Sequence, residues 1–114
     1  METSNLEKAR AARDEGMTRA ADHANRVQPS WTEHAYAIVR DYAMLNAAFT
    51  TEDISAYAIS VGLPIPPDKR AWGPVMAKAR RLGVLIPDGF ASSRVVQAHM
   101  RTNRIWKSLL YHVV

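Results

Sequence analysis

Between positions 62 and 67 the chain reads Gly62-Leu63-Pro64-Ile65-Pro66-Pro67, and no helix can run through that string. Its prolines withhold backbone donors and drive the residues before them into extended conformations. The chain must therefore fold as separate helical pieces on either side of a stiff, partly apolar turn.

Upstream of the turn two helix starts follow each other closely. In Pro29-Ser30-Trp31-Thr32-Glu33 the Ser30 hydroxyl is suited to accept from the third helical amide, and Glu33 to reach back to the Ser30 amide. The helix predicted from 31 to about 47 carries Trp31, Ala35, Ile38, Val39, Tyr42, Leu45 and Phe49 at steps of three and four, which is one apolar stripe. Thr50-Thr51-Glu52-Asp53 repeats the cap logic, with Thr50 as N-cap and Asp53 near the positive end of the helix dipole. The second helix, 51 to about 61, turns Ile54, Tyr57, Ala58 and Val61 inward and stops at Gly62.

Downstream, Asp68 is suited to cap a third helix, 69 to about 82, with the stripe Trp72, Val75, Met76, Ala79 and Leu82. Pro74 conflicts locally with that helix; near the end of its first turn it removes at most one hydrogen bond and can kink the axis. Gly83 ends the helix, Val84-Leu85-Ile86 reads as a short strand, and Pro87-Asp88-Gly89 reads as a turn. After a polar stretch, 104–109 reads as a returning strand, giving a two-stranded ribbon with a long basic tip.

Before Pro29 the signals are weaker. Ser4-Asn5-Leu6-Glu7 has the capping-box pattern and an Ala-, Arg- and Glu-rich helix follows to about residue 23. Leu6, Met17 and Val27 are its only large apolar residues and Gly16 interrupts it, so the expectation is a helix that is frayed, separate from the core, or ordered by a partner. The division expected is a helical extension over 1–28 and one domain over 29–114.

Charge is segregated along the chain. Residues 1–67 hold six Lys or Arg against nine Asp or Glu, whereas residues 68–114 hold nine against two, within a formal net charge of +4. A chain of 114 residues has material for one compact core, not for separate acidic and basic domains. One positive face contributed by the C-terminal elements is therefore expected, and a polyanion is its natural partner.

The order helix, short turn, helix, turn, helix, β-ribbon is what a winged helix-turn-helix domain requires. The fold class expected is mainly α: a three-helix core plus a two-stranded β-ribbon, with an extra N-terminal helix. With Trp72, Val75, Met76 and Ala79 inward, helical geometry turns Arg70, Gly73, Ala77 and Arg81 outward, with Lys69, Lys78 and Arg80 on the flanks. Gly73 and Ala77 keep that face low enough to approach a groove, and arginines there can pair with guanine edges or neutralise phosphates. Arg94, Arg101, Arg104 and Lys107 add cations on the ribbon. The plainer reading is that such charges only keep a solvated face soluble. Trp31, Phe49, Trp72 and Tyr42 read as core; Trp106 reads as core too, with stacking on a base as its alternative.

Other chemistry lacks a pattern. His23, His34, His99 and His112 have no ligand spacing and the chain has no cysteine, so neither a zinc site nor a disulfide is expected. Ser92-Ser93 carries no nucleophile signature, and phosphate-loop and dinucleotide glycine patterns are missing. The expectation is a protein that is not an enzyme, needs no cofactor and does not enter a membrane; without an apolar leader it belongs in a reducing cytoplasm.

Three strings, Phe49-Thr50-Thr51-Glu52-Asp53, Pro66-Pro67-Asp68-Lys69-Arg70-Ala71-Trp72-Gly73 and Ala79-Arg80-Arg81-Leu82-Gly83-Val84-Leu85, resemble small winged-helix proteins encoded by bacteriophages and prophages. The resemblance spans about residues 17–110 and implies a phage or prophage origin, a bacterial host cytoplasm and a wing after the third helix. In such proteins the position after Gly73 is more often a small helix former than a proline.

Two functions follow as expectations. The first is duplex DNA binding in regulation or replication, through Lys69, Arg70, Lys78, Arg80 and Arg81 on the reading helix and Arg94, Arg101, Arg104 and Lys107 on the wing. The alternative is a protein-interaction module acting on a host replication, transcription or defence complex, such as a CRISPR complex, through the same face or the N-terminal helix. Homodimerisation through that helix is a further expectation.

Overall fold

The computed structural model describes residues 5–92 and 102–112. Four α-helices and three short strands follow in the order α1 (Asn5–Val27), α2 (Trp31–Leu45), β1 (Ala48–Thr50), α3 (Thr51–Ser60), a 3-10 turn (Lys69–Ala71), α4 (Trp72–Arg81), β2 (Leu85–Ser92) and β3 (Thr102–Ser108). The fold is mainly helical with one small antiparallel sheet, strand order β1-β3-β2.

The cap and stop signals between 50 and 83 form as their chemistry dictates. The Thr50 amide donates to Asp53 Oδ2 (2.9 Å) while the Asp53 amide donates to Thr50 Oγ1 (3.3 Å), a complete capping box. Gly62 and Gly83 take φ of +99° and +77° just past α3 and α4. That left-handed geometry lets the Leu63 and Val84 amides turn back to the Ala58 and Ala79 carbonyls (both 2.9 Å).

Pro74 explains why the third helix starts in two stages. An α-helix begun at residue 69 would need the missing amide of residue 74; starting the α-turns at Trp72 leaves position 74 among the amides that have no intrahelical partner. Residues 69–71 therefore wind as a 3-10 turn, capped by the Asp68 carboxylate on the Arg70 amide (2.9 Å).

Several local expectations need correction: Leu45, Val61 and Leu82, placed on inward stripes by their spacing, are exposed. The first helix of the core ends at Leu45, and Phe49 belongs to β1, where it faces Trp106 across the sheet. The sheet thus has three strands instead of a two-stranded ribbon. Ser30 does not cap α2: it sits at φ 61°, with no side-chain cap bond, and the Thr32 amide is taken instead by Asn25 Oδ1 from the end of α1 (3.0 Å). Pro87-Asp88-Gly89 is no turn between strands but an irregularity within β2, where the register with β3 shifts between Pro87 and Phe90 and Gly89 takes φ +90°. Pro87 is tolerated because β2 is an edge strand. The Ser4 cap lies outside the described residues.

The core gathers Val39, Ile54, Leu85, Trp31, Trp72 and Trp106. Trp31 meets Trp72 edge to face, and its indole N–H donates to the Pro64 carbonyl (2.8 Å), fastening the proline-rich turn to α2. Trp106 is buried and donates its indole N–H to Thr51 Oγ1 (3.2 Å), which ties β3 to the start of α3. Its packing role therefore prevails over base stacking. α1 is continuous through Gly16 and joins the core by Ala20 and Ala24, with Ala21 also buried. Its large apolar ends, Leu6 and Val27, stay exposed.

Candidate nucleic-acid interface

On α4 the buried stripe is Trp72, Val75, Met76 and Ala79. Ala77, Arg80 and Arg81 are exposed on its other side, and Lys69 is exposed on the 3-10 turn. Among these exposed positions Ala77 is small, whereas the first turn of α4 is overlaid by α1 at Gly73.

Arg70 is more constrained than its neighbours. Its guanidinium grips Asp68 through Nε (2.9 Å to Oδ2) and Nη2 (2.6 Å to Oδ2), although the side chain remains about 61% exposed. The hydrogen bond from Arg70 holds the Asp68 carboxyl below its ordinary value, and the same bond raises the Arg70 guanidinium further. The pair is close to neutral, so the positive charge of the face rests on Lys69, Lys78, Arg80 and Arg81. Lys78 is half-buried, its ammonium 4.5 Å from the centre of the Tyr36 ring.

The outward set expected on α4 also changes at Gly73. Its missing side chain admits Met17 of α1, whose sulfur lies 2.2 Å from where a Cβ would stand. Glycine inside a helix is here a mark of close approach by a second helix, not of a face left low for a groove.

On the sheet, strand alternation separates two of the expected ribbon cations. Arg104 shares the face of buried Trp106, with its guanidinium carbon 5.5 Å from the Phe90 ring centre and 5.7 Å from that of Trp106. Lys107 is exposed on the opposite face. The two cannot meet one flat surface together, and of the two it is Arg104 that stands beside an exposed aromatic ring. Arg94 and Arg101 lie outside the described residues.

No family model matches this chain, and no curated protein or solved structure matches it either.

Two features of the face were not read from the sequence. Phe90, about 64% exposed, projects from the ribbon just past the irregularity at Gly89. A second feature is acidic: Asp22 of α1 and Glu33 of α2 line an open groove of about 330 Å³ together with Lys78 and Arg81 of α4. Glu15 of α1 similarly lines a hollow with Asp68 and Arg70. The signal for the acidic rim was the N-terminal excess of carboxylates, but nothing in their spacing says that they fold back over α4. Among the described residues no three His, Asp or Glu side chains come together as a metal site, and no helix is long and apolar enough to cross a membrane.

Proposed function

We propose that the chain is a non-enzymatic winged helix-turn-helix module that binds duplex nucleic acid, DNA before RNA, with α4 presented to the groove and the β2–β3 ribbon beside it. The observation that carries this reading is the exposure of Lys69 on the 3-10 turn and of Arg80 and Arg81 in the last turn of α4. Three further facts support it. A strand between the first and second core helices pairs with the returning ribbon strand, the element order such a module uses. The second core helix, α3, and α4 are joined through residues 61–71, a proline-stiffened connection that ends in the 3-10 turn. Arg104 with Phe90 places a cation and an exposed ring on the ribbon.

Binding of this kind is dominated by release of counterions from phosphates, so affinity for a random-sequence duplex should fall steeply between about 50 and 200 mM salt. No association at the lower salt overturns the reading.

The N-terminal part of α1 favours a second one. Every residue from 5 to 15 is exposed, so about half of a long helix lies on the surface of the described residues. In this reading the module engages a protein of the replication, transcription or defence machinery of a bacterial host. Capture of a protein partner that survives nuclease treatment distinguishes it from the first, since a nucleic-acid bridge would be lost.

A further inference from the structure

The seam between α1 and α4 combines close contact with weak adhesion. Around the position that a Cβ of residue 73 would occupy, Met17 places its sulfur at 2.2 Å, Cγ at 3.0 Å and Cβ at 3.3 Å. Arg70 Nη1 similarly stands 2.8 Å from where a Cβ of residue 16 would be. The neighbour of Gly16 is only the end of the flexible Arg70 side chain, whereas Gly73 lets α1 lie directly on the first turn of α4. That is the end of α4 which a helix-turn-helix module directs at a groove.

What holds α1 there is slight. Its buried residues are Ala20, Ala21 and Ala24, with Met17 half-buried, whereas α2 meets α4 through Trp31 on Trp72. Alanine methyls remove little apolar surface from water compared with an indole. The link to α2 is also suited to bending. It contains Ser30 at φ 61°, a conformation in which a non-glycine residue is strained. The Asn25–Thr32 clasp fixes the pivot end. Eight residues separate Asn25 from Met17, a lever of about 12 Å. Lifting Met17 off Gly73 by rotation about the clasp would also draw Ala20 and Ala24 from the core.

Charge completes the case. Asp22 of α1 lines the same groove as Lys78 and Arg81, whereas Glu15 is paired with Arg19 of its own helix. A phosphate backbone seeks those cations too.

Building on the nucleic-acid reading above, we propose that α1 is an internal competitor for the face of α4: docked, it covers Gly73 and overlies the first turn of α4, and the duplex binds fully only when α1 swings away. The ligand class is a double-stranded polyanion, and its binding and the docking of α1 exclude each other over the first turn of α4.

Because the chain has no cysteine, a Met17→Cys/Gly73→Cys variant can carry a single disulfide. The Cβ separation of 3.3 Å is close to the roughly 3.8 Å typical of such a bond. Binding of the full-length variant to a random-sequence DNA duplex at about 50 mM salt is compared oxidised and reduced. The expected result is that oxidation weakens binding about tenfold or more and that reduction restores it. Equal affinity in the two states overturns the competitor role while leaving the nucleic-acid reading intact. Failure of both the reduced variant and the unaltered chain to bind overturns the reading on which it rests. Met17→Ala, which loosens α1 without a cross-link, should bind more tightly than the unaltered chain; unchanged or weaker binding counts against the proposal.

Discussion

Trp31 and Trp72 stand edge to face, ring centres 5.2 Å apart and planes 74° from parallel, and join α2 to the start of α4. Both are almost fully buried, at 1% and 3% exposure. Since α4 carries the exposed cations, this contact sets the position of the whole basic face. Replacing either tryptophan by alanine should destabilise the fold by about 3–5 kcal/mol in denaturant titration, through lost burial and an unfilled cavity. The double variant should show coupling of about 0.5–1.5 kcal/mol beyond the single effects. Additive losses would mean that the ring contact matters only as buried area.

The Thr50–Asp53 box predicts a smaller loss. Thr50→Ala removes the acceptor for the Asp53 amide at the start of α3 and should lower stability by about 1 kcal/mol. Asp53→Ala removes the other half of the box. The two together should fall short of the sum, because they share one motif.

Asp68 predicts a pH dependence. Its folded-state pKa lies below the ordinary 3.8, first because Arg70 donates to it. Stability from the pair is therefore fully present above that ordinary value and is lost as the pH falls through the lower folded-state pKa. Carboxyl titration by NMR should place the Asp68 midpoint below 3.8. At neutral pH, Asp68→Asn keeps an oxygen to cap the Arg70 amide but frees the guanidinium. It should strengthen duplex binding and steepen the salt dependence by about one unit of slope.

Arg80 and Arg81 are exposed and bear on nothing in the core. Arg80→Ala/Arg81→Ala should leave the unfolding midpoint nearly unchanged, within about 0.5 kcal/mol for each site. Duplex affinity should fall, and the slope of log affinity against log salt should shrink by up to about two. Unaltered binding in the double variant would remove α4 from the interface.

Several local signals are legible in the sequence, although the Ser30 cap and the Pro87-Asp88-Gly89 turn, equally local, do not form. The Thr50 cap, the stops at Gly62 and Gly83 and the Asp68 cap each depend on residues within a few positions of one another, and each stands where its chemistry put it. β1 escaped notice because it is three residues long and its partner arrives more than fifty positions later, Phe49 against Trp106, while Phe49 also fits a helical stripe. α1 was expected as a helix, but its docking on the core was not, because its contact face is made of alanine and of a glycine–methionine seam, which carry almost no hydrophobic signal. The cations of α4 were legible as residues. That one of them is held by Asp68 and another rests over Tyr36 are facts of tertiary geometry that no periodicity encodes.

The strand order β1-β3-β2 sets the sequence of events during synthesis. β3, the middle strand, emerges from the ribosome after both of its neighbours, and its final residue, Ser108, donates its hydroxyl to the Ala43 carbonyl of α2. Until residues 102–108 are made, β1 and β2 have no hydrogen-bonding mate in the sheet, Phe49 lacks the indole opposite it, and the helices stand without their β flank. A nascent chain therefore presents open edges at β1 and β2 until residues 102–108 have emerged.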